Sequence, residues 1–394
     1  MTERTLMVAM YLPPDRTGSS YVMGNLGTQF SRQEMLAVGE AKTPCPPEPW
    51  GPSGPRMEVV QFRWPFSRRG IRWWRWLQLP RMIWRCVAAG RRFGCTSVFV
   101  PFPDASFLLA GYLTARVTRA KLFPYFHNTY VENRRGLGLR VARWLQKKVF
   151  QRASHVFVMS DGMVELYRQN YPDLHNCSAL VHSFTEPIPA FEEPPVPGSP
   201  VKLVFFGNVN ESCRDAAQRM VQAVRQIDDA RMTFLTSTSP SYLARVGLLS
   251  DRVDCCFVPE AEVPRRLAEA DILTLPHGFT GGLSAQEYQT IFPTKTIPYL
   301  ISRRPILAHS PPGCFFTRFL KQTGCALVVE EPDVGALVKA VQSLRSDPDL
   351  RRGLVRSALA TAERFHISRV FAELRRRMQA AGPAGTLEPA RSRL

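Results

Sequence analysis

Three consecutive residues, Pro293, Thr294 and Lys295, have the types that could bind an anion. They open the segment 292–307, FPTKTIPYLISRRPIL, whose pattern predicts a loop, a helix, a turn and a strand. Proline fits the first turn of a helix, and Thr294 would cap the backbone donors that follow. A helix N-terminus attracts anions, and Lys295 adds a full positive charge. The segment therefore predicts a phosphate-binding corner, with ordinary capping beside a solvated lysine as the alternative.

A second candidate is His127, which directly follows the predicted strand KLFPYF at residues 121–126. In α/β domains, ligands bind at the carboxyl ends of the strands. His127 could act there as a general base or orient a phosphate. Capping of its own loop is the alternative for an isolated histidine.

Two small-residue loops follow predicted strands in the same way. Gly18 and Ser19 lie in PPDRTGSS, after the apolar run 6–12, and Gly207 and Asn208 follow VKLVFF. A predicted helix comes after each loop. A strand, a loop and a helix in succession open a nucleotide-binding α/β unit, although a plain tight turn would give the same pattern.

Composition limits the class of protein. The 394 residues suffice for two domains, and a hydrophobic fraction of 45% allows each a core. The net charge of +18 indicates an anionic partner, which could be nucleic acid, an acidic membrane or a phosphorylated substrate. The nine cysteines show neither CxxC pairs nor zinc-ligand spacing, so we expect reduced thiols in the cytoplasm. We find neither a signal peptide nor a stretch of about 20 apolar residues, so any membrane contact would be peripheral.

Basic and aromatic residues concentrate in the segment 56–92. It holds ten arginines, one acidic residue and five of the seven tryptophans. Tryptophan with arginine is typical of a helix lying on anionic lipid, but tryptophans packed on a sheet beneath solvated arginines give the same pattern. Pro80 is expected to interrupt this helix. The candidate membrane or acceptor patch is Arg72, Trp73, Trp74 and Arg75.

A proline-rich and acidic stretch at 186–200, EPIPAFEEPPVPGSP, predicts an interdomain linker. It separates an N-terminal domain, residues 1–185, from a C-terminal domain, residues 201–362. We expect a C-terminal helix at 363–380 and a disordered tail at 381–394.

Taken together, the two halves resemble glycosyltransferases of the GT-B type, and most closely the retaining, family-four-like transferases of bacterial cell-surface sugars. The resemblance covers nearly the whole chain. It rests on YLPPDRTGSS, FPYFHNTY, LVFFGN, VPEAEVPRRLAEADILTLP and, most specifically, FPTKTIPYLISRRPIL. It implies an α/β fold of two Rossmann-like domains that face each other across a cleft, with the C-terminal helix crossing back to the first domain.

The resemblance also implies roles for individual residues. The C-terminal domain would hold a nucleotide-sugar donor and the N-terminal domain the acceptor. His127 would be the catalytic residue lining the reacting centre. The donor would be bound by Thr294, Lys295, Gly207, Asn208, Gly18 and Ser19.

Four positions depart from the pattern of that group. Two glutamates usual in its donor site are replaced by Thr290 and Pro298, and nearby Glu287 is a candidate substitute from the preceding loop. The basic pair that usually grips the diphosphate is missing, and Arg214 is the nearest candidate. The donor-binding chemistry is therefore expected to differ from that of the group.

The sequence thus predicts a cytoplasmic glycosyltransferase at the inner membrane surface that acts on a glycan or lipid-linked acceptor. We expect neither a metal ion nor a cofactor. We also expect no nucleic acid as a partner, because the positive net charge is the only feature that supports one. A catalytically silent relative that binds a nucleotide or a partner protein is the main alternative. An epimerase on the same fold is a further alternative, but this sequence shows no clear set of acid and base carboxylates for that reaction.

Overall fold

A computed structural model describes residues 3–15, 17–41, 48–62 and 68–382, without the side chains of residues 41, 61, 62 and 68–76. The chain forms two compact units. The first comprises Met1–Thr185 and Ile367–Leu394, and the second Glu186–His366. Most of the predicted disordered tail, from residue 383 onward, lies outside the described residues.

The first unit is built on a parallel sheet of seven strands in the order β3-β2-β1-β4-β5-β6-β7. Its strands are β1 (Thr5–Ala9), β2 (Met35–Ala41), β3 (Arg56–Phe62), β4 (Ser97–Phe102), β5 (Lys121–Phe126), β6 (Val156–Val158) and β7 (Cys177–Ala179). The helices that connect them are α1 (Gly18–Gly27), α2 (Arg68–Phe93), α3 (Ala105–Thr118), α4 (Gly136–Arg152) and α5 (Asp161–Asn170).

The apolar composition of the central strands explains this layered arrangement. Every residue of β1 and β4 is buried, as expected for parallel strands covered by helices on both faces. The strand order reverses between β1 and β4. Because parallel crossovers are right-handed, α1 lies on one side of the sheet, and α2 to α5 lie on the other.

Helix α2 continues through Pro80, so the predicted interruption is wrong. Met82, Cys86 and Ala89 recur at helical spacing and are completely buried. A proline inside a helix costs roughly 3 kcal/mol. Burial of this apolar face offsets that cost, which a local pattern of residues does not reveal.

The second unit contains a parallel sheet of six strands in the order β10-β9-β8-β11-β12-β13. These are β8 (Val201–Phe206), β9 (Ala230–Leu235), β10 (Val253–Cys256), β11 (Ile272–Pro276), β12 (Ile306–His309) and β13 (Leu327–Val329). The helices are α6 (Arg214–Gln226), α7 (Pro240–Arg245), α8 (Val263–Ala268), α9 (Ala285–Thr290), α10 (Thr296–Leu300), α11 (Phe315–Thr323), α12 (Val334–Ser346) and α13 (Pro348–Ala362), with 3-10 turns at Glu260–Glu262 and Glu363–Phe365.

The last helix, α14 (Ile367–Ala380), belongs to the first unit. Phe371 packs edge-on against Phe30, with ring centroids 4.9 Å apart, and Arg375 forms an ion pair with Glu34 at 2.5 Å. The predicted α/β class with two Rossmann-like domains is confirmed by the two parallel sheets. Within the described part of the chain, we find no helix with the length and apolar character needed to cross a membrane.

Candidate functional site

The central feature of the second unit is the place where β8 and β11 part. The two strands pair only at Leu203 with Ile272 and at Val204 with Leu273. Beyond these pairs, the hydroxyl of Tyr299 accepts a hydrogen bond from the Phe206 amide at 2.7 Å and donates one to the Thr274 carbonyl at 3.3 Å. Tyr299 is completely buried. It therefore fixes α10 at the point where the strand order reverses, the usual ligand-binding position in such sheets.

Helix α10 begins at Thr296, so the predicted capping by Thr294 is wrong. Lys295 occupies the N-cap position without a side-chain cap, and Thr294 is exposed in the preceding turn. Pro298 explains the later start. Had the helix begun at Thr294, residue 298 would have needed an amide to bond to its carbonyl, and proline has none.

Lys295 is half-buried beside the carboxyl end of β8. Its ammonium lies 4.3 Å from the ring centroid of Phe205, and a Cβ built on Gly207 would be 3.4 Å from its Cε. Burial lowers the pKa of Lys295, whereas the nearby thiol of Cys213 raises it. No ion pair among the described residues involves Lys295. The arrangement presents an uncompensated positive charge, suited to an anionic ligand.

The loop after β8 is shaped by glycine and by polar contacts. Gly207 has φ +109, a conformation that other residues rarely adopt. Asn208 accepts a hydrogen bond from the Ser237 hydroxyl at 2.6 Å, which joins the loops after β8 and β9. Arg214 lies 3.8 Å from the carboxylate of Glu211 and 3.5 Å from the hydroxyl of Tyr242. Gly207, Asn208 and Lys295 thus share one sheet edge, with Arg214 at the start of α6.

Asp215 holds the loop that follows β11. Its Oδ2 accepts hydrogen bonds from the Phe279 amide at 3.0 Å and the Thr280 amide at 3.1 Å, and it pairs with Arg219 at 3.0 Å. Arg219 also donates from Nε to His309 Nε2 at 2.8 Å. Since His309 Nε2 accepts, its Nδ1 carries the proton and donates to the Val329 carbonyl. The loop is therefore fixed by a continuous polar network.

His277 is a site residue that the sequence reasoning missed. It is almost completely buried directly after β11, stacks with Tyr288, and contacts the Ser310 hydroxyl at 3.0 Å through Nδ1. Nε2 has no hydrogen-bond partner among the described residues. Burial lowers the pKa of His277 to about 4. Like His127, His277 directly follows a strand, and that sequence pattern marks both residues equally.

Glu287 lies in α9, not in the preceding loop as predicted. Its amide donates to the Ser284 hydroxyl at 3.1 Å, which caps the helix, and the residue is buried. The next residue, Tyr288, donates from its hydroxyl to the Glu211 carbonyl at 2.9 Å. Helix α9 is thereby attached to the loop that precedes α6.

In the first unit, the structure brings together two residues selected from the sequence. His127 Nδ1 lies 2.9 Å from the hydroxyl of Ser19, and Gly18 is the first residue of α1. Both residues lie beyond the carboxyl ends of their strands. Burial, and then the neighbouring His182, lower the pKa of His127 well below its usual value. His127 is therefore neutral at pH 7.

His182 is a second buried histidine of this cluster, with its ring centroid 5.9 Å from that of His127. Neither of its ring nitrogens has a hydrogen-bond partner among the described residues. Burial lowers the pKa of His182 to about 4. No strong sequence signal marks it, because it follows β7 only after an irregular segment.

The predicted membrane or acceptor patch is not located by these contacts. The side chains of Arg72, Trp73, Trp74 and Arg75 lie outside the described residues, although the backbone of all four belongs to α2. Where side chains are described, no group of three or more histidine, cysteine, aspartate or glutamate residues is arranged to hold a metal ion.

Solved structures are similar to this chain over almost its full length. A sucrose-phosphate synthase from Thermosynechococcus elongatus aligns with a TM-score of 0.70 and 16% identity, over 96% of this chain and 100% of that one. HepE from Anabaena, in complex with UDP and glucose, aligns with a TM-score of 0.69 and 14% identity, over 96% and 100%. The fold is that of the GT-B glycosyltransferases.

The lipopolysaccharide outer core galactosyltransferase WaaB, in its apo form, has the same GT-B fold. It aligns with a TM-score of 0.63 and 12% identity, over 96% of this chain and 99% of WaaB. No protein-family model matches the chain, and no curated protein matches it in sequence. Identities this low establish the architecture, and the chemistry must be argued from the residues.

We expect Tyr299→Phe to lower the free energy of unfolding of the second unit by about 1–3 kcal/mol, because the Phe206 amide and the Thr274 carbonyl lose their shared partner. Denaturant titration measures the change. Tyr242→Phe is the matched control, since that hydroxyl makes one long contact at a part-buried position. Equal effects of the two substitutions would contradict the bridging role of Tyr299.

The buried histidines predict a loss of stability in mild acid. In the unfolded chain His182 titrates near 6.5, and in the folded chain near 4, so the unfolded state binds the additional proton between these values. Stability should therefore fall as the pH falls from 7 to 5, by up to about 2 kcal/mol for this histidine. Denaturant titration of His182→Leu at both pH values should show a smaller fall than wild type, and an unchanged fall would refute the assignment.

Proposed function

We propose that the protein is a glycosyltransferase that uses a nucleoside-diphosphate sugar as donor. The observation that carries this proposal is Lys295, a half-buried ammonium without an ion-pair partner among the described residues, at the strand crossover point of a GT-B fold. A diphosphate supplies the missing negative charge. Gly207 leaves the backbone open for its approach, and the Gly207–Asn208 loop lies beside it.

Glycosyl transfer from such a donor requires little covalent participation by the protein. Transfer releases a nucleoside diphosphate, and the charge that develops on it is stabilised by a fixed cation and backbone amides. Lys295 supplies that cation in our proposal, and Arg214 at the start of α6 adds a second. We propose that no metal ion takes part and that a hexosyl group is transferred with retention of configuration, as the resemblance to the family-four-like group implies.

His127 is proposed to act on the acceptor in the first unit. Its neutral ring has one nitrogen bound to Ser19 and a second, Nε2, without a hydrogen-bond partner among the described residues. A neutral imidazole can receive the hydrogen of an acceptor hydroxyl and orient that hydroxyl for attack. Ser19 fixes the ring, which makes it a positioning residue.

The acceptor is proposed to be a polysaccharide or a lipid-linked glycan, reached at the cytoplasmic face of the inner membrane. The net charge of +18 supports an anionic surface or an acceptor that carries phosphate. The named neighbours include a lipopolysaccharide galactosyltransferase, which is compatible with this acceptor class.

We expect UDP to raise the unfolding temperature of the protein, because a ligand bound only to the folded state stabilises it by mass action. UDP is the first probe because HepE was crystallised with it. Lys295→Met keeps an unbranched side chain over Phe205 but removes the charge, and should weaken UDP binding about tenfold or more. Lys339→Met, at an exposed position of α12, is the matched control. Equal UDP affinity of the two variants would refute the anion site.

For catalysis, we expect His127→Ala to lower kcat/KM for UDP-sugar turnover by roughly 10²- to 10⁴-fold while UDP binding persists. Release of UDP from UDP-glucose, with a metal chelator present, measures turnover without a known acceptor. His155→Ala removes another buried histidine of the same unit, one bonded to Ser178 at 2.7 Å, and should retain activity. A wild-type protein that binds UDP yet turns over no donor would favour the catalytically silent alternative.

A further inference from the structure

Helix α4 exposes an unusual share of the large apolar surface of the protein. Nine large hydrophobic residues are exposed among those described, and three of them lie on this one helix. Leu137 is 78% exposed, Val141 50% and Trp144 54%. Their spacing of four and then three residues places them on one helical face. A contiguous apolar stripe of this kind marks an interaction surface.

The opposite face of α4 already has its packing partners. Ala142, Leu145 and Val149 are buried, and α4 packs on α3. Helix α4 therefore has a normal core-facing side, and the exposed stripe is an additional apolar surface. The folded unit leaves this surface uncovered.

Positive charge surrounds this stripe. Arg140, Lys147 and Lys148 are exposed at positions three or four residues from Trp144, so they flank it on the same face. The helix sequence, GLGLRVARWLQKKVFQR, has five basic residues and no acidic one. None of the ion pairs formed by described residues uses a cation of α4. These charges are available to an external anionic partner.

Helix α2 repeats the pattern on the same side of the sheet. Leu77 is 69% exposed and Trp84 68%, with the exposed Arg81 between them at the same four- and three-residue spacing. Helix α3 packs against both α2 and α4. The described part of α2 thus extends the basic and apolar surface of α4.

We propose that the outward face of α4, formed by Leu137, Arg140, Val141, Trp144, Lys147 and Lys148, binds the surface of an anionic phospholipid membrane. A helix lying in the membrane interface requires this combination, with apolar side chains entering the acyl boundary and lysine or arginine beside the headgroups. The inference deepens the proposed function by assigning the membrane contact to a surface. Its test uses no transfer activity, so either proposal can fail alone.

The chemistry of the face favours lipid over other anionic or apolar partners. A nucleic acid would bind the cations but leave Leu137 and Val141 against phosphates, where they gain nothing. The buried centre of a protein interface is depleted in charge, and lysine is disfavoured there. A membrane interface accommodates both kinds of side chain at once.

Co-sedimentation of the full chain with vesicles tests the proposal. We expect binding to vesicles of phosphatidylglycerol mixed with phosphatidylcholine, much weaker binding to phosphatidylcholine alone, and a loss of binding as salt rises. Trp144→Ser should lower partitioning about tenfold. The double variant Lys147→Glu and Lys148→Glu should lower it by about 20-fold or more.

Matched controls come from exposed positions of the second unit. Phe257→Ser removes an aromatic side chain that is 60% exposed, and the double variant Lys202→Glu and Lys339→Glu makes the same change in net charge. Both should retain vesicle binding, and circular dichroism checks the fold of every variant. Wild-type levels of binding in both α4 variants would overturn the proposal. So would equal binding to neutral vesicles, or binding to duplex DNA without binding to vesicles.

Discussion

The second unit depends on how its sheet is held together where β8 and β11 separate. Main-chain pairing stops at Val204 and Leu273, and the buried hydroxyl of Tyr299 supplies the next two hydrogen bonds. An unpaired amide and carbonyl would otherwise remain at that point, which is costly in a protein interior. Because Tyr299 belongs to α10, the same bonds fix the start of that helix. Lys295 is positioned by the same hydrogen bonds, because it is the N-cap residue of α10.

The electrostatic character of the site follows from what lies around that lysine. His277 and His309 are kept neutral by burial, and Asp215 is committed to Arg219 and to two amides of the loop after β11. The Asp215 carboxylate is therefore engaged in fixing this loop. Lys295 therefore presents a positive charge at the sheet edge without an ion-pair partner among the described residues, and this charge is the basis for proposing a diphosphate ligand.

The sequence predicted the parts of this arrangement that depend on local pattern. Apolar runs located the strands, and the rule that ligands bind at their carboxyl ends selected His127. The succession of strand, loop and helix selected Gly207, and the anion affinity of a helix N-terminus selected Lys295. The predicted capping by Thr294 is wrong because the start of α10 is set by Pro298, four residues later, which has no amide hydrogen to donate. Asp215 and Tyr299 were not foreseen, because their roles consist of bonds to residues that are distant in sequence.

The surface of the first unit shows a different limit of sequence reasoning. Net charge indicates an anionic partner but is equally compatible with lipid, nucleic acid and phosphorylated substrate. The exposure of apolar side chains after the helices have packed helps to discriminate between these partners. In α4, Leu145 and Trp144 are adjacent in sequence, yet the first is buried and the second 54% exposed among lysines and arginines. A membrane interface satisfies both the apolar and the cationic groups of that face, which is why we propose lipid as its partner. The exposure of side chains in the folded state thus favours one of the three anionic partners that composition leaves open.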